Sequence, residues 1–115
     1  MRSKLGDKDR LGHILESIDY IQKSIAGVSA EEFEVNFVLH TAVVKWEEII
    51  GEACYHLTSD LKDRHPEIDW KRIQGMRHVL VHEYAGIDIV AVWKVATQSL
   101  EDLKMKVGKI LLEFK

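Results

Sequence analysis

The stretch DKDRLGHILESIDYIQKSIA, residues 7–26, decides the fold of this chain. Its apolar residues recur at three- and four-residue steps, a spacing that places them on one face of a helix. These residues are Leu11, Ile14, Leu15, Ile18, Ile21 and Ile25. Gly27 comes next, and a glycine at this position typically ends a helix. The stretch therefore predicts a first amphipathic helix that buries one side.

A second, longer helical element follows. Ser29 and Glu32 have the spacing of a capping box, in which each side chain bonds to the backbone of the other residue. The apolar pattern after them drifts in phase over residues 36–41, which predicts a kink or a short break there. It then continues as far as Pro66, which ends the element because proline cannot extend a helix.

Two further helices complete the pattern. Asp69 predicts the cap of a helix from Trp70 to about Tyr84, and Asp88 predicts the cap of a long last helix. The last helix carries a sustained apolar seam that consists of Trp93, Ala96, Leu100, Leu103, Val107, Ile110 and Phe114. Such a seam is typical of a bundle core, and a seam used only between subunits is the alternative. No alternation typical of strands is present, so we expect an all-α, antiparallel bundle of four to five helices.

Length, charge and cysteine usage narrow the class of protein. The chain has 115 residues, enough for one hydrophobic core, and we expect a single domain over residues 1–115. Its net charge of −3 argues against attachment to nucleic acid or membrane by bulk charge. The single cysteine, Cys54, excludes an internal disulfide and suits a reducing compartment. The charged start does not resemble a signal peptide, and no apolar run is long enough to span a membrane, so we expect a cytoplasmic protein.

The residues most able to do chemistry lie in RHVLVHEY, residues 77–84, where polar side chains interrupt an apolar helix. Burying these polar groups without hydrogen-bond partners would cost free energy. They must therefore either line a cleft that water enters or form hydrogen bonds across an interface. Arg77 and Tyr84 share one helical face, while His78 and His82 share another. A two-fold dimer in which two copies of this helix meet would join both faces in one composite cleft. We therefore expect a homodimer.

Three kinds of chemistry are compatible with this cluster. His78 and His82 have the spacing of two metal ligands on a helix, although no third ligand stands nearby in the pattern. Alternatively, His82 transfers protons while Arg77 stabilises the charge of a phosphorane during metal-free cleavage of RNA, whose 2′-hydroxyl is a built-in nucleophile. In the third interpretation the cluster is a polar network that only fixes helix packing or the register of a dimer. The spacing alone leaves all three open.

The string Arg77-x4-His82-x-Tyr84 resembles the Rx4HxY motif of HepT-like toxins in the HEPN superfamily of helical domains. Other blocks of the chain resemble that family in the same order, and together they cover about residues 10–112. They are IIGEA at 49–53, PEIDW at 66–70, Ile73 with the Gly75-Met76-Arg77 triplet, and Ile87-Asp88 with Val92-Trp93. Embedded in these blocks, the motif is a strong signal.

The resemblance implies a homodimeric, metal-independent endoribonuclease whose two motifs meet in a cleft at the subunit interface. It implies that Arg77 and His82 are catalytic and that no cofactor is needed. It also implies a partner, a minimal nucleotidyltransferase antitoxin that neutralises the toxin by transferring AMP to Tyr84. Such a modification would add bulk and negative charge at the mouth of a cleft that binds RNA.

The chain departs from the family pattern at positions that would face RNA. His78 stands where asparagine is usual. Lys45 stands where arginine is common, and lysine keeps the positive charge but lacks the paired N–H donors with which arginine binds a phosphate. We expect His78, Lys45 and Arg72 to contact RNA or phosphate, because basic residues gather around the motif despite the negative net charge. Glu52 is expected to cap a packing contact, and the alternative is that it orients a basic residue.

The sequence thus predicts a toxin endoribonuclease that is controlled by its antitoxin. The alternative is a HEPN module that binds nucleotides or serves a nucleotidyltransferase without cutting RNA. The intact pair of Arg77 and His82 favours the enzyme.

Overall fold

The computed structural model describes residues 6–82 and 88–114, and the side chains of all of these except residues 78–82. The described residues form helices and no strands, so the predicted all-α class is confirmed. The helices are α1 (Asp7–Ile25), α2 (Ala30–Val35), α3 (Phe37–His56), α4 (Ser59–Arg64), α5 (Trp70–His82), α6 (Ile89–Lys94) and α7 (Leu100–Leu111), with a π-helical turn at Val95–Ser99 between α6 and α7.

The local signals place most helix ends correctly. Gly27 adopts a φ of 77°, in the left-handed region that glycine tolerates, directly after α1. Ser29 and Glu32 form the predicted capping box at the start of α2, with bonds of 2.9 and 3.1 Å. The predicted break falls at Asn36, whose side chain caps α3 by accepting a hydrogen bond from the backbone N–H of Leu39 at 3.0 Å.

The predicted continuous helix up to Pro66 is wrong, because α3 ends at His56 and α4 begins at Ser59. Thr58 separates them: its hydroxyl accepts a bond from the backbone N–H of Leu61 at 3.2 Å and donates to Asp7 at 2.6 Å. The backbone N–H of Thr58 also donates to Asp7, at 3.0 Å. A contact with α1 therefore sets this break, and the apolar pattern of α3 alone does not reveal it.

The core forms where α1 packs against α3 and α7, while α5 covers another side of α3. The seam of the last helix lies inside this core, as predicted: Ala96, Leu100, Leu103, Val107 and Ile110 are buried. The sequence does not predict the π-helical turn. Such a turn adds one residue to a single helical turn, and the apolar spacing before and after it stays helical. None of the described helices is long and apolar enough to cross a membrane.

Two polar groups of α3 lie inside the apolar core. Glu47 is 1% exposed, and burial raises the pKa of its carboxyl to about 9. Its Oε2 atom has no hydrogen-bond partner among the described residues. Cys54 is buried as well, and burial raises the pKa of its thiol to about 12. Glu47 is therefore protonated and Cys54 is a thiol at neutral pH.

Candidate functional site

The candidate site lies where α5 crosses α3, and Gly51 sets the distance between these two helices. A Cβ atom added to Gly51 would lie 2.8 Å from the backbone nitrogen of Arg77 and 3.1 Å from the carbonyl oxygen of Ile73. No side chain fits into this space, so the backbones approach closely. As a result, Arg77 emerges from α5 directly beside Glu52, the residue that follows Gly51.

Two side chains of α3 hold the guanidinium group of Arg77. Its Nη1 atom donates a hydrogen bond to Oε1 of Glu52 at 3.2 Å. Its central carbon lies 3.8 Å from the centroid of the Tyr55 ring, within the range of a cation–π contact. Glu52 therefore fixes one edge of the planar guanidinium and Tyr55 fixes one face, which leaves little freedom of orientation.

His56 extends the same cluster. Its Nε2 atom lies 2.9 Å from Oε2 of Glu52, so the two carboxylate oxygens serve different partners. The hydrogen bond with His56, together with the charge of Arg77, holds the pKa of Glu52 below its ordinary value. The His56 ring stands at 82° to the Tyr55 ring, with centroids 5.0 Å apart. We call Glu52, Tyr55, His56 and Arg77 the Arg77 cluster.

The Arg77 cluster is open to solvent. The Arg77 side chain is 32% exposed and the Glu52 side chain is 50% exposed. An ion pair this exposed contributes little to stability, so the cluster is not needed to hold the fold together. Arginine carries five N–H donors, and among the described residues Arg77 uses one of them. Within residues 6–77 and 88–114 no partner occupies the other donors, and guanidinium groups recognise phosphate in a bidentate manner.

A shallow cavity of about 200 Å³ adjoins the cluster at Glu52. Its polar walls are Arg10, His13, Lys45, Glu48 and Glu52. The Lys45 ammonium group lies 3.6 Å from Glu48 and is 67% exposed, so it retains access to a ligand in the cavity. Three basic side chains and two carboxylates from α1 and α3 thus line this cavity, which meets the Arg77 cluster at Glu52.

The structure brings together some of the residues that the sequence singled out. Arg77 bonds Glu52, and Lys45 lines the same cavity as Glu52. Arg72 lies apart from them: its Nη2 atom is 3.5 Å from the Ser99 hydroxyl, and it lines a separate cavity of about 200 Å³ between α5 and α7. The predicted roles of His78 and His82 concern side chains outside the described residues, and Tyr84 lies outside them altogether. Their roles remain predictions.

Three members of the Arg77 cluster were not predicted as site residues. Glu52 was expected to have a packing role, but it takes the alternative role of orienting a basic residue, Arg77. The sequence does not single out Tyr55 or His56 as site residues. Their spacing carries a signal, because residues three and four positions after Glu52 share its face of α3. The arrival of Arg77 at that face is a tertiary contact that spacing along one helix does not show.

Comparison with known proteins gives a consistent result. Residues 14–110 match the model of a protein family described as "Ribonuclease HepT-like". The chain is 36% identical over 107 residues to "Probable ribonuclease HepT" of Thermococcus cleftensis, covering 93% of this chain and 97% of that protein. It is 36% identical over 101 residues to a protein of Caldanaerobacter subterraneus named as a "Putative RNase", covering 88% and 90% of the two chains. A protein of Methanocaldococcus jannaschii with the same kind of name is 33% identical over 105 residues, covering 91% and 96%. No solved structure matches the chain significantly.

Proposed function

Because this chain belongs to the family of HepT-like ribonucleases, we propose that it is a toxin that cleaves RNA without a metal ion. One observation carries the proposal beyond the family assignment. Arg77 is held by Glu52 and Tyr55 at an exposed site, and among the described residues it uses one of its five N–H donors. A preorganised cation of this kind stabilises a phosphorane better than a mobile one, because it needs no rearrangement when charge develops.

The proposed reaction uses the ribose as the nucleophile. The 2′-hydroxyl oxygen attacks the adjacent phosphorus, the bond to the 5′-oxygen breaks, and the products carry a 2′,3′-cyclic phosphate and a 5′-hydroxyl. Arg77 binds the non-bridging oxygens as negative charge grows on them. His82 moves the protons, since an imidazole changes its charge near neutral pH.

We propose that the enzyme is a homodimer with a composite site. The described part of α5 is helical through His82, so positions 77 and 82 lie about 140° apart around its axis at 100° per residue. Arg77 turns toward α3 of its own subunit. A second copy of α5 across a two-fold axis would therefore supply the histidine that complements Arg77.

Regulation by a minimal nucleotidyltransferase antitoxin belongs to the same proposal. Transfer of AMP from ATP to the Tyr84 hydroxyl would release pyrophosphate and leave a phosphodiester on the tyrosine. Tyr84 lies two residues beyond His82 in the sequence. A bulky anion so close to the catalytic pair would repel the RNA backbone.

The test is the cleavage of total cellular RNA by the purified protein in the presence of a chelator, beside His82→Ala. We expect the wild type to cleave and the variant to be inactive, while both show the same oligomeric state in light scattering. Cleavage by His82→Ala at the wild-type rate would exclude the assigned role of His82. An intact-mass measurement of the same sample shows whether Tyr84 already carries AMP.

Other outcomes would identify the alternatives. Unmodified wild-type protein that leaves RNA intact would favour a non-catalytic module that binds nucleotides or a nucleotidyltransferase. Activity that disappears in the chelator and returns with a divalent metal would favour the His78 and His82 metal site instead. Growth arrest on expression, relieved by a co-expressed nucleotidyltransferase partner, would support the toxin assignment.

A further inference from the structure

Tyr55 is a half-exposed aromatic residue, and the core does not bury its ring. Its ring is 48% exposed, although Cys54 before it and Ala53 are buried in the core. Its principal described contact is the guanidinium of Arg77, 3.8 Å from the ring centroid. An exposed aromatic ring beside a phosphate-binding cation is the arrangement by which proteins hold unpaired bases of single-stranded RNA.

We propose that Tyr55 and His56 form a nucleobase subsite that holds a base of single-stranded RNA next to the cleaved phosphate. This inference rests on the proposed function, in which Arg77 binds that phosphate. A base is joined to its phosphate through a single sugar, so a phosphate on Arg77 brings a neighbouring base to the ring that Arg77 touches. Stacking on Tyr55 then fixes the nucleotide relative to the reacting atoms.

The charges around the cluster indicate which part of RNA lies on which side. Glu52 lies between Arg77 and His56, and its lowered pKa keeps it ionised at neutral pH. Beside Arg77 the guanidinium charge offsets the charge of Glu52 and a phosphate can bind, whereas an uncharged base next to His56 meets no repulsion from Glu52. Arg10 and Lys45 lie in the neighbouring cavity together with Glu48 and Glu52, and they offer the phosphate backbone two cations there.

His56 borders the stacking surface. Its ring is nearly perpendicular to Tyr55, and Glu52 engages its Nε2 atom. In the described part of the chain the Nδ1 atom has no partner, so it can form a hydrogen bond to the edge of a base that stacks on Tyr55. Stacking tolerates any base, while a hydrogen bond to a base edge discriminates among them, so His56 is the candidate for sequence preference.

The test compares two ligands with the same backbone charge. One is a fluorescently labelled single-stranded RNA of about ten nucleotides, and the other is the same ribose-phosphate chain without bases. Binding is measured by anisotropy with proteins that also carry His82→Ala, so that nothing is cleaved. We expect Tyr55→Leu to weaken binding of the RNA about tenfold more than binding of the abasic chain, within the range that base stacking contributes. Any loss that the two ligands share reports the contact between Tyr55 and Arg77.

Two control variants define the effect. Tyr55→Phe keeps the ring and should bind both ligands like the parent protein. Tyr20→Leu removes another half-exposed tyrosine, which packs on Trp46 with ring centroids 5.5 Å apart, and should also leave both affinities unchanged. Circular dichroism and thermal unfolding confirm that every variant is folded.

The remaining outcomes overturn the inference. Equal weakening on both ligands by Tyr55→Leu would mean that Tyr55 acts only by positioning Arg77. Equal binding of both ligands by the parent and by Tyr55→Leu would mean that no base is held there. If the wild type cleaves RNA in either case, the proposed function stands and the subsite alone fails. Wild-type protein that neither binds nor cleaves RNA would contradict both the proposed function and the nucleobase subsite.

Discussion

Gly51 and Arg77 lie on different helices, yet a Cβ atom on Gly51 would come within 2.8 Å of the Arg77 backbone nitrogen and 3.0 Å of its Cβ atom. The obstacle is the backbone of α5, which cannot rotate away as a flexible side chain can. The separation of α3 and α5, and with it the position of the Arg77 guanidinium, therefore depends on the absence of a side chain at residue 51.

We predict that Gly51→Ala destabilises the protein by about 1–3 kcal/mol, because the added methyl group forces the two helices apart. RNA cleavage should fall as well, since Arg77 moves with α5. Urea denaturation and a cleavage assay measure the two effects.

The matched control for Gly51→Ala is Gly108→Ala in α7, where a Cβ atom would meet nothing within 4 Å. This change should raise stability by up to about 1 kcal/mol, the difference in helix propensity between alanine and glycine. Identical behaviour of the two alanine variants would refute the role of the close approach.

We predict that Glu52→Gln lowers the rate of cleavage about tenfold while the free energy of unfolding changes by less than about 1 kcal/mol, as expected for an exposed ion pair. The variant keeps an acceptor for Arg77 but loses the charge that orients it. Because the removed charge is negative, binding of RNA should not weaken, so kcat falls and KM does not rise.

Asp19→Asn is the control for Glu52→Gln. It neutralises a carboxylate in another exposed pair, in which Asp19 lies 3.0 Å from Lys23 on α1. Full cleavage activity is expected from this variant. A wild-type kcat for Glu52→Gln would show that Glu52 has no part in positioning Arg77.

We predict that Lys45→Gln weakens binding of RNA to about the same extent for every sequence, because a lysine contact to phosphate carries no base information. The slope of log affinity against log salt concentration should fall in magnitude by about 0.7, the value for one phosphate contact to a single strand. Lys23→Gln, at a lysine that is 76% exposed, should leave the slope unchanged. Equal slopes for Lys45→Gln and the wild type would place the RNA elsewhere.

We predict that Glu47→Gln stabilises the protein at alkaline pH. Burial raises the pKa of Glu47 from 4.5 to about 9, so between these values the folded chain holds a proton that the unfolded chain has lost. The free energy of unfolding of the wild type therefore falls as pH rises, by about 1.4 kcal/mol per pH unit for this group. A glutamine cannot ionise, so the variant does not lose stability in this way as pH rises.

The comparison requires urea denaturation of both proteins at pH 5 and pH 8. From pH 5 to pH 8 the stability of Glu47→Gln relative to the wild type should rise by about 4 kcal/mol, because three pH units contribute about 1.4 kcal/mol each. With a cost of about 2 kcal/mol for its own buried amide, the variant should be the less stable protein at pH 5 and the more stable one at pH 8. A stability difference that stays constant across this range would show that Glu47 is ionised in the folded state.

The sequence predicts well those features that a few neighbouring residues determine. The capping box of Ser29 and Glu32 and the break at Asn36 depend on short-range bonds, and both were predicted. The break at Thr58 was missed because Asp7, far away in the sequence, supplies two of its hydrogen bonds.

The same difference between local bonds and contacts of distant residues explains how much of the candidate site the sequence predicts. The motif singles out Arg77 because its residue types and spacing carry the signal. The environment of Arg77 comes from Glu52, Tyr55 and His56 on another helix, and only the packing of α5 on α3 brings them together. The helical spacing of these three residues shows that they share a face, but it does not show which element covers that face.

The burial of Cys54 has a practical consequence for experiments on the assembly. The chain has no other cysteine, and a buried thiol with a pKa of about 12 reacts slowly with maleimides and disulfide reagents. The folded protein thus behaves as a cysteine-free background without any mutation. A cysteine introduced at Val38, which is 82% exposed, would take up a spin label or a fluorophore selectively. Distances between two such labels would measure directly how two copies of this chain are arranged.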